Sequence, residues 1–149
     1  MTNAQYERIS PDLWEGEDVK LCLAYWNELR GERFAPQWSS FDWSRIPVGI
    51  IPYFSIVDIC WQPYGMTYRF FGSAHSRAHG IELTGRSPLE MDPPDVGQSM
   101  FDQYTEIANE RVPGFFLHTL YGREGDLKIS ETSLRMPFSN DGEIVSNIV

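Results

Sequence analysis

Two of the chain's three histidines, His75 and His79, stand four residues apart in "FGSAHSRAHGIELTGR", residues 71–86. On a helix that spacing puts both imidazoles on one face, where they could share a metal ion or a polar ligand. The third, His118, lies in the strand-like run "FFLHTLYG" and could add a ligand from across a pocket. Two imidazoles with no third ligand nearby in sequence are ordinarily a half-buried helix pair, so no metal is expected. Cys22 and Cys60 are far apart, form no CxxC pair and have no histidine close in sequence, which argues against a zinc site or a thiol nucleophile. The chain has no G-x-S-x-G, H-E-x-x-H, G-x-x-x-x-G-K-[ST] or G-x-G-x-x-G motif, so the usual hydrolase, metalloprotease and nucleotide-loop signatures are missing. Asp92 with Asp95, and Glu15 with Glu17 and Asp18, lie in polar runs and read as solvated faces rather than acid–base pairs. No enzyme is expected, and the residues name no cofactor.

The elements that must position these side chains fit one domain. A chain of 149 residues, 42% of them hydrophobic, can bury one core. Its 21 acidic against 12 basic side chains give a net charge of -9, which repels a phosphate backbone and an anionic membrane face; neither nucleic acid nor membrane is an expected partner. The longest apolar candidate, "IPVGIIPYFSIVDICW", is broken by Pro47, Pro52 and Asp58, and the N-terminus "MTNAQYERIS" lacks a signal segment, so a reduced, cytoplasmic setting is expected.

Along the chain, residues 1–40 read as a helical extension and residues 41–149 as the domain proper. The run "SPDLWEGEDVKLCLAYWNELRGER" starts at a Ser-Pro signal and stops at Gly31; Val19, Cys22, Trp26 and Leu29 form one apolar stripe on it. That stripe either packs on the domain's own sheet or meets its counterpart in a homodimer. "APQWSSFDWSRIPVGIIP" reads as a connector. A hairpin follows, "YFSIVDICW" and "MTYRFFG" around "QPYG"; then short helical pieces; then a longer helix carrying Met100, Phe101, Tyr104, Ile107 and Ala108 at helical spacing. Three strand-like runs close the chain: 114–124, 127–138 and 143–149. The last stops inside a strand, so the chain is expected to be a fragment. Five antiparallel strands with helices gathered on one face make an α+β domain.

Such a sheet under short helices can enclose a cavity. Phe101 and Tyr104 of the long helix, Tyr68 and Phe70 at alternate strand positions, and Leu134 and Met136 would supply its apolar wall. Tyr104, Thr132, His79 and His118 are the polar groups that could orient a ligand there. The same residues would also fill a solid core, which would make the chain a protein-interaction module acting through the sheet's outer face and the Trp26 stripe. Arg69 and Arg86 read as structural ion-pair formers.

In order and in residues, the chain resembles the PAS sensory domain. The resemblance rests on "YRFFG", the helix ending at Gly80, "IELTGRSPLEM" with Glu82, Leu83, Gly85, Arg86 and Ser87, and "GREGDLKISETSLRMPFSNDGEIV". More narrowly, "YWNELRG", "IPVGIIPYFSIVDI", "MTYRFFGS" and "LTGR" look like a bacterial PAS subfamily, from about Leu21 onward. The resemblance implies a PAS-like five-stranded antiparallel sheet that binds a small molecule or a partner and signals through dimerisation. It places His79 on the pocket side of the short helix, where it could bond a ligand. Two departures stand out: Gly72 where many PAS domains have Asn, and a short segment from Gly80 to Gly85. The cysteine motif of flavin light sensors is absent, and the long helix has no histidine to hold haem.

Overall fold

The computed structural model describes residues 3–14, 16–122 and 124–149. The expected hairpin is present: β2 (Ser55–Trp61) and β3 (Tyr64–Phe71) pair antiparallel across Gln62 and Pro63. The short helix α2 (Ser73–His79) ends at Gly80, whose φ of 71° is the left-handed geometry that glycine tolerates at a helix end. The long helix α3 (Pro94–Glu110) buries Met100, Tyr104, Ile107 and Ala108 on one face.

The strands differ from the expected single five-stranded sheet. An N-terminal strand β1 (Asn3–Arg8) pairs with β4 (Gly114–Tyr121), and β4 pairs with β5 (Leu127–Arg135), giving a three-stranded sheet. A second sheet has the order β3-β2-β7-β6, with β6 (Pro137–Phe138) and β7 (Asn147–Ile148) only two residues long. Two local causes produce this. Met136 interrupts the run 127–138, although its N–H and C=O still bond Val149 at 2.8 and 3.0 Å and so hinge one sheet to the other. The Asp141 carboxylate accepts the Glu143 and Ile144 N–H groups at 2.8 and 3.0 Å, folding a turn that delays the last strand to Asn147. β1 was hidden because "NAQYER" has no apolar alternation; its Tyr6 and Arg8 are tied instead to Glu106 and Glu110 of α3. Among the described residues before position 41, β1 thus joins the β4–β5 sheet and contacts α3.

The helices also occupy both faces. Val57, Tyr68 and Ile148 pack with α3, whereas their neighbours Ile56 and Val149, with Met136 and Phe138, pack with Cys22 and Trp26 of α1 (Glu17–Arg30). Trp26 is 4% exposed, and its indole N–H donates to the Pro137 carbonyl at 2.7 Å. Cys22 and Trp26, expected at a dimer interface with Val19 and Leu29, are thus buried in the chain's own core, the self-packing outcome of the stripe. The connector completes this cover with Trp38 stacked on Phe41 at 4.8 Å and Phe138 edge-on to both rings. This face of the four-stranded sheet is accordingly covered by the chain's own α1 and connector.

Burial makes the two cysteines unequal. The apolar packing around Cys22, helped by Asp18, pushes its thiol up to about 11, whereas Cys60 is exposed. A thiol reagent at pH 8 is expected to titrate one cysteine in the native protein and two in denaturant; prompt labelling of both in the native protein would contradict this packing.

Gly72 closes the hairpin against the connector. A Cβ there would lie 2.6 Å from the Phe54 carbonyl oxygen and closer still to that of Pro52, and Gly72 N–H itself bonds Phe54 O at 2.9 Å. An asparagine cannot fit there. Gly72→Ala is expected to cost about 2–3 kcal/mol in chemical denaturation; an unchanged midpoint would show that the two segments are not in contact.

Candidate functional site

Beyond the Met136–Val149 bonds, β2 and β5 part company, and a cavity of about 560 Å³ occupies the interval. It reaches from the first turns of α1 (Glu17 to Cys22) on one side to α2 and α3 on the other. Both faces of β5 from Glu131 to Arg135 line it, as do Met136 just after the strand and Ser55, Tyr68, Phe71 and Met100. A loop holds Tyr68 in place: the Tyr68 N–H bonds Arg86 O at 2.9 Å, and its carbonyl accepts the Gly85 N–H at 2.8 Å. The Glu82 carboxylate fastens that loop by accepting from the Thr84 N–H and hydroxyl at 2.8 and 2.6 Å. "ELTGRS" thus serves as the clamp on the cavity's second strand.

The polar centre of the cavity is Arg135. The guanidinium is buried, 8% exposed for the residue, and donates to Tyr104 Oη at 2.8 Å and to Gln103 Oε1 at 3.0 Å. It also lies over the Tyr104 ring, 4.2 Å from its centroid. Tyr104 Oη in turn lies 2.9 Å from Ser55 Oγ and 3.4 Å from Tyr68 Oη. Burial first, then the neighbouring Tyr104 phenol, keeps Tyr68 protonated by raising its pKa well above normal. All of these partners are neutral: among the described residues no carboxylate lies within ion-pair distance of Arg135, and its Nε has no partner. A buried cation with only neutral neighbours leaves room for an anion.

At the other end, four residues back along β5 and about 13 Å away at strand rise, Glu131 meets the histidines. His79 Nε2 is 3.7 Å and His118 Nδ1 3.5 Å from Glu131 Oε1, and both imidazole side chains are 3% exposed. Ligand atoms of His75, His79 and Glu131 all lie within 4.8 Å of one another. Burial alone would raise the Glu131 pKa, but the His118 and His79 imidazoles outweigh it and hold the carboxyl far below its usual range. His75 goes the other way, lowered mainly by burial, with Nε2 2.7 Å from the Tyr53 carbonyl.

Of the nine residues expected to bind a ligand, Tyr68, Tyr104, Thr132, Leu134 and Met136 line the cavity. Phe70 does not, because a β-bulge at Ile56 and Val57 sets Val57 opposite Tyr68 and Ile56 opposite Phe70, reversing the alternation so that Phe70 joins the other face. Phe101 turns to the hairpin tip, edge-on to Tyr64 at 5.8 Å. His79 and His118 sit behind Glu131 rather than on the wall. Arg69 and Arg86 form the expected ion pairs, with Asp58 at 2.7 Å and Glu90 at 3.2 Å. Sequence reasoning missed Arg135, Glu131 and Ser55. The available signal was the period-2 set Ile129, Glu131, Ser133 and Arg135: if Ile129 faces the core, two charges must as well.

Among the described residues no helix is long and apolar enough to cross a membrane. Set against known proteins, the chain matches no family model, no curated protein and no solved structure.

Proposed function

We propose that the chain is a PAS-like sensory or regulatory domain whose cavity takes a small amphipathic molecule with one anionic group. The observation that carries the reading is Arg135, a buried cation without a carboxylate partner in an otherwise largely apolar cavity. An anion there gains a charge-assisted bond from the free Nε–H, and its apolar part covers Phe71, Met100 and Leu134. The PAS-like part of the reading is supported by the order hairpin, short helix ending at Gly80, long helix, then two long strands. Signal transfer runs through α1, because Val19 and Cys22 contact the cavity while Trp26 anchors the same helix to β6. Occupancy favours one seating of α1, and the change is passed to another protein. A homodimer that carries the signal has to use a surface other than Cys22 and Trp26.

A second reading, a protein-interaction module, is favoured by the free edge of β5. Along 127–134 that strand has β4 on one side and no strand on the other among the described residues, which is the geometry for pairing with an extended segment of a partner. Native mass spectrometry of the protein as purified separates the two. A retained small-molecule mass that is lost on denaturation supports the sensory reading; a retained peptide or a second polypeptide supports the module.

A further inference from the structure

We propose that His75, His79 and Glu131 form a binding site for a divalent transition-metal ion of the zinc type at the end of the cavity away from Arg135. The two histidines are the i, i+4 pair of α2, and the carboxylate comes from β5 across the cavity. Four features point to an ion rather than to a hydrogen-bonded cluster. First, the His79 Nε2 to Glu131 Oε1 separation of 3.7 Å is too long for a hydrogen bond. It is close to the roughly 3.4 Å edge of a tetrahedron whose ligands stand about 2.1 Å from a zinc ion. Second, His79 is 3% exposed by side chain, and its Nε2 has no hydrogen-bond partner; a buried unpartnered nitrogen beside a carboxylate is explained by an ion between them. Third, His75 Nε2 faces the Tyr53 carbonyl at 2.7 Å. A carbonyl only accepts, so that nitrogen carries the proton and Nδ1 keeps its lone pair, the second-sphere arrangement that fixes a ligating imidazole. Fourth, His118 Nδ1 stands 3.5 Å from Glu131 Oε1 from within the sheet, so His118 is a positioning residue for the carboxylate. Two imidazoles and one carboxylate suit zinc, cobalt or iron in their divalent states and leave coordination positions open. His75 and Glu131 both line the cavity, so those open positions face it. The site stands whether or not an organic anion binds at Arg135.

The test is titration of the untagged, chelator-treated full chain with Co²⁺, read by visible absorption and by competition with Zn²⁺. One Co²⁺ per chain is expected, with a visible band that Zn²⁺ abolishes. Glu131→Gln and His75→Gln are each expected to weaken Co²⁺ binding at least tenfold. His75 is only partly buried, so its variant is the one that keeps the fold. Absence of a one-to-one Co²⁺ complex in the folded wild-type chain overturns the site, and so does an affinity equal to wild type in both variants.

Discussion

Trp26→Ala is expected to lower the unfolding free energy by about 3–5 kcal/mol, the usual cost of deleting a buried indole. The ring sits among Ile56, Met136, Phe138 and Val149, and its N–H is the partner of the Pro137 carbonyl, so truncation opens a void and strands a buried acceptor together. Trp26→Phe should lose less, because most of the apolar contact survives and only the hydrogen bond, about 1 kcal/mol, is missing. Urea denaturation of the three proteins checks the order. If Trp26→Ala changed stability by less than about 1 kcal/mol and instead halved the mass in solution, Trp26 would lie between subunits.

Arg135→Met is expected to separate stability from binding. A guanidinium that only holds the fold together leaves a large deficit when removed, about 3–5 kcal/mol for a broken buried pair. Here no ionic partner is stranded; the variant loses two bonds to neutral oxygens on Tyr104 and Gln103 and is relieved of a buried charge. The unliganded variant should therefore melt close to wild type, within about 1 kcal/mol. Its affinity for an anionic amphipath should fall about 10- to 100-fold, the range for one charge-assisted hydrogen bond. Thermal melts with and without decanoate read both quantities. A strongly destabilised variant with intact decanoate binding would make Arg135 a structural residue.

Much of the helical frame was legible. The α3 face repeats Met100, Tyr104 and Ile107 without interruption, the α2 stop is written in Gly80, and β2 and β3 alternate around a turn that contains proline. These are local signals, and the elements follow them. What was not legible depends on distant partners. β1 owes its place to carboxylates a hundred residues away, on Glu106 and Glu110. The face of Phe70 depends on a bulge, which composition does not announce. In sequence the histidines stand as a pair with a distant third, and no further ligand lies near them. Glu131 lies 52 residues beyond His79 and comes beside it through the register that sets His118 opposite Glu131. The same strand hid Arg135, because its inward face carries more charge than a core strand usually does.

The central claim is that the cavity between β2 and β5 is a site for an anionic amphipath, and calorimetric titration of the intact chain with decanoate and, separately, with uncharged decanol tests it most directly. The predicted result is one decanoate per chain, with decanol bound at least tenfold more weakly and the difference between them lost in Arg135→Met. Equal binding of both compounds by wild type and variant, or no heat and no thermal shift with either, would contradict it.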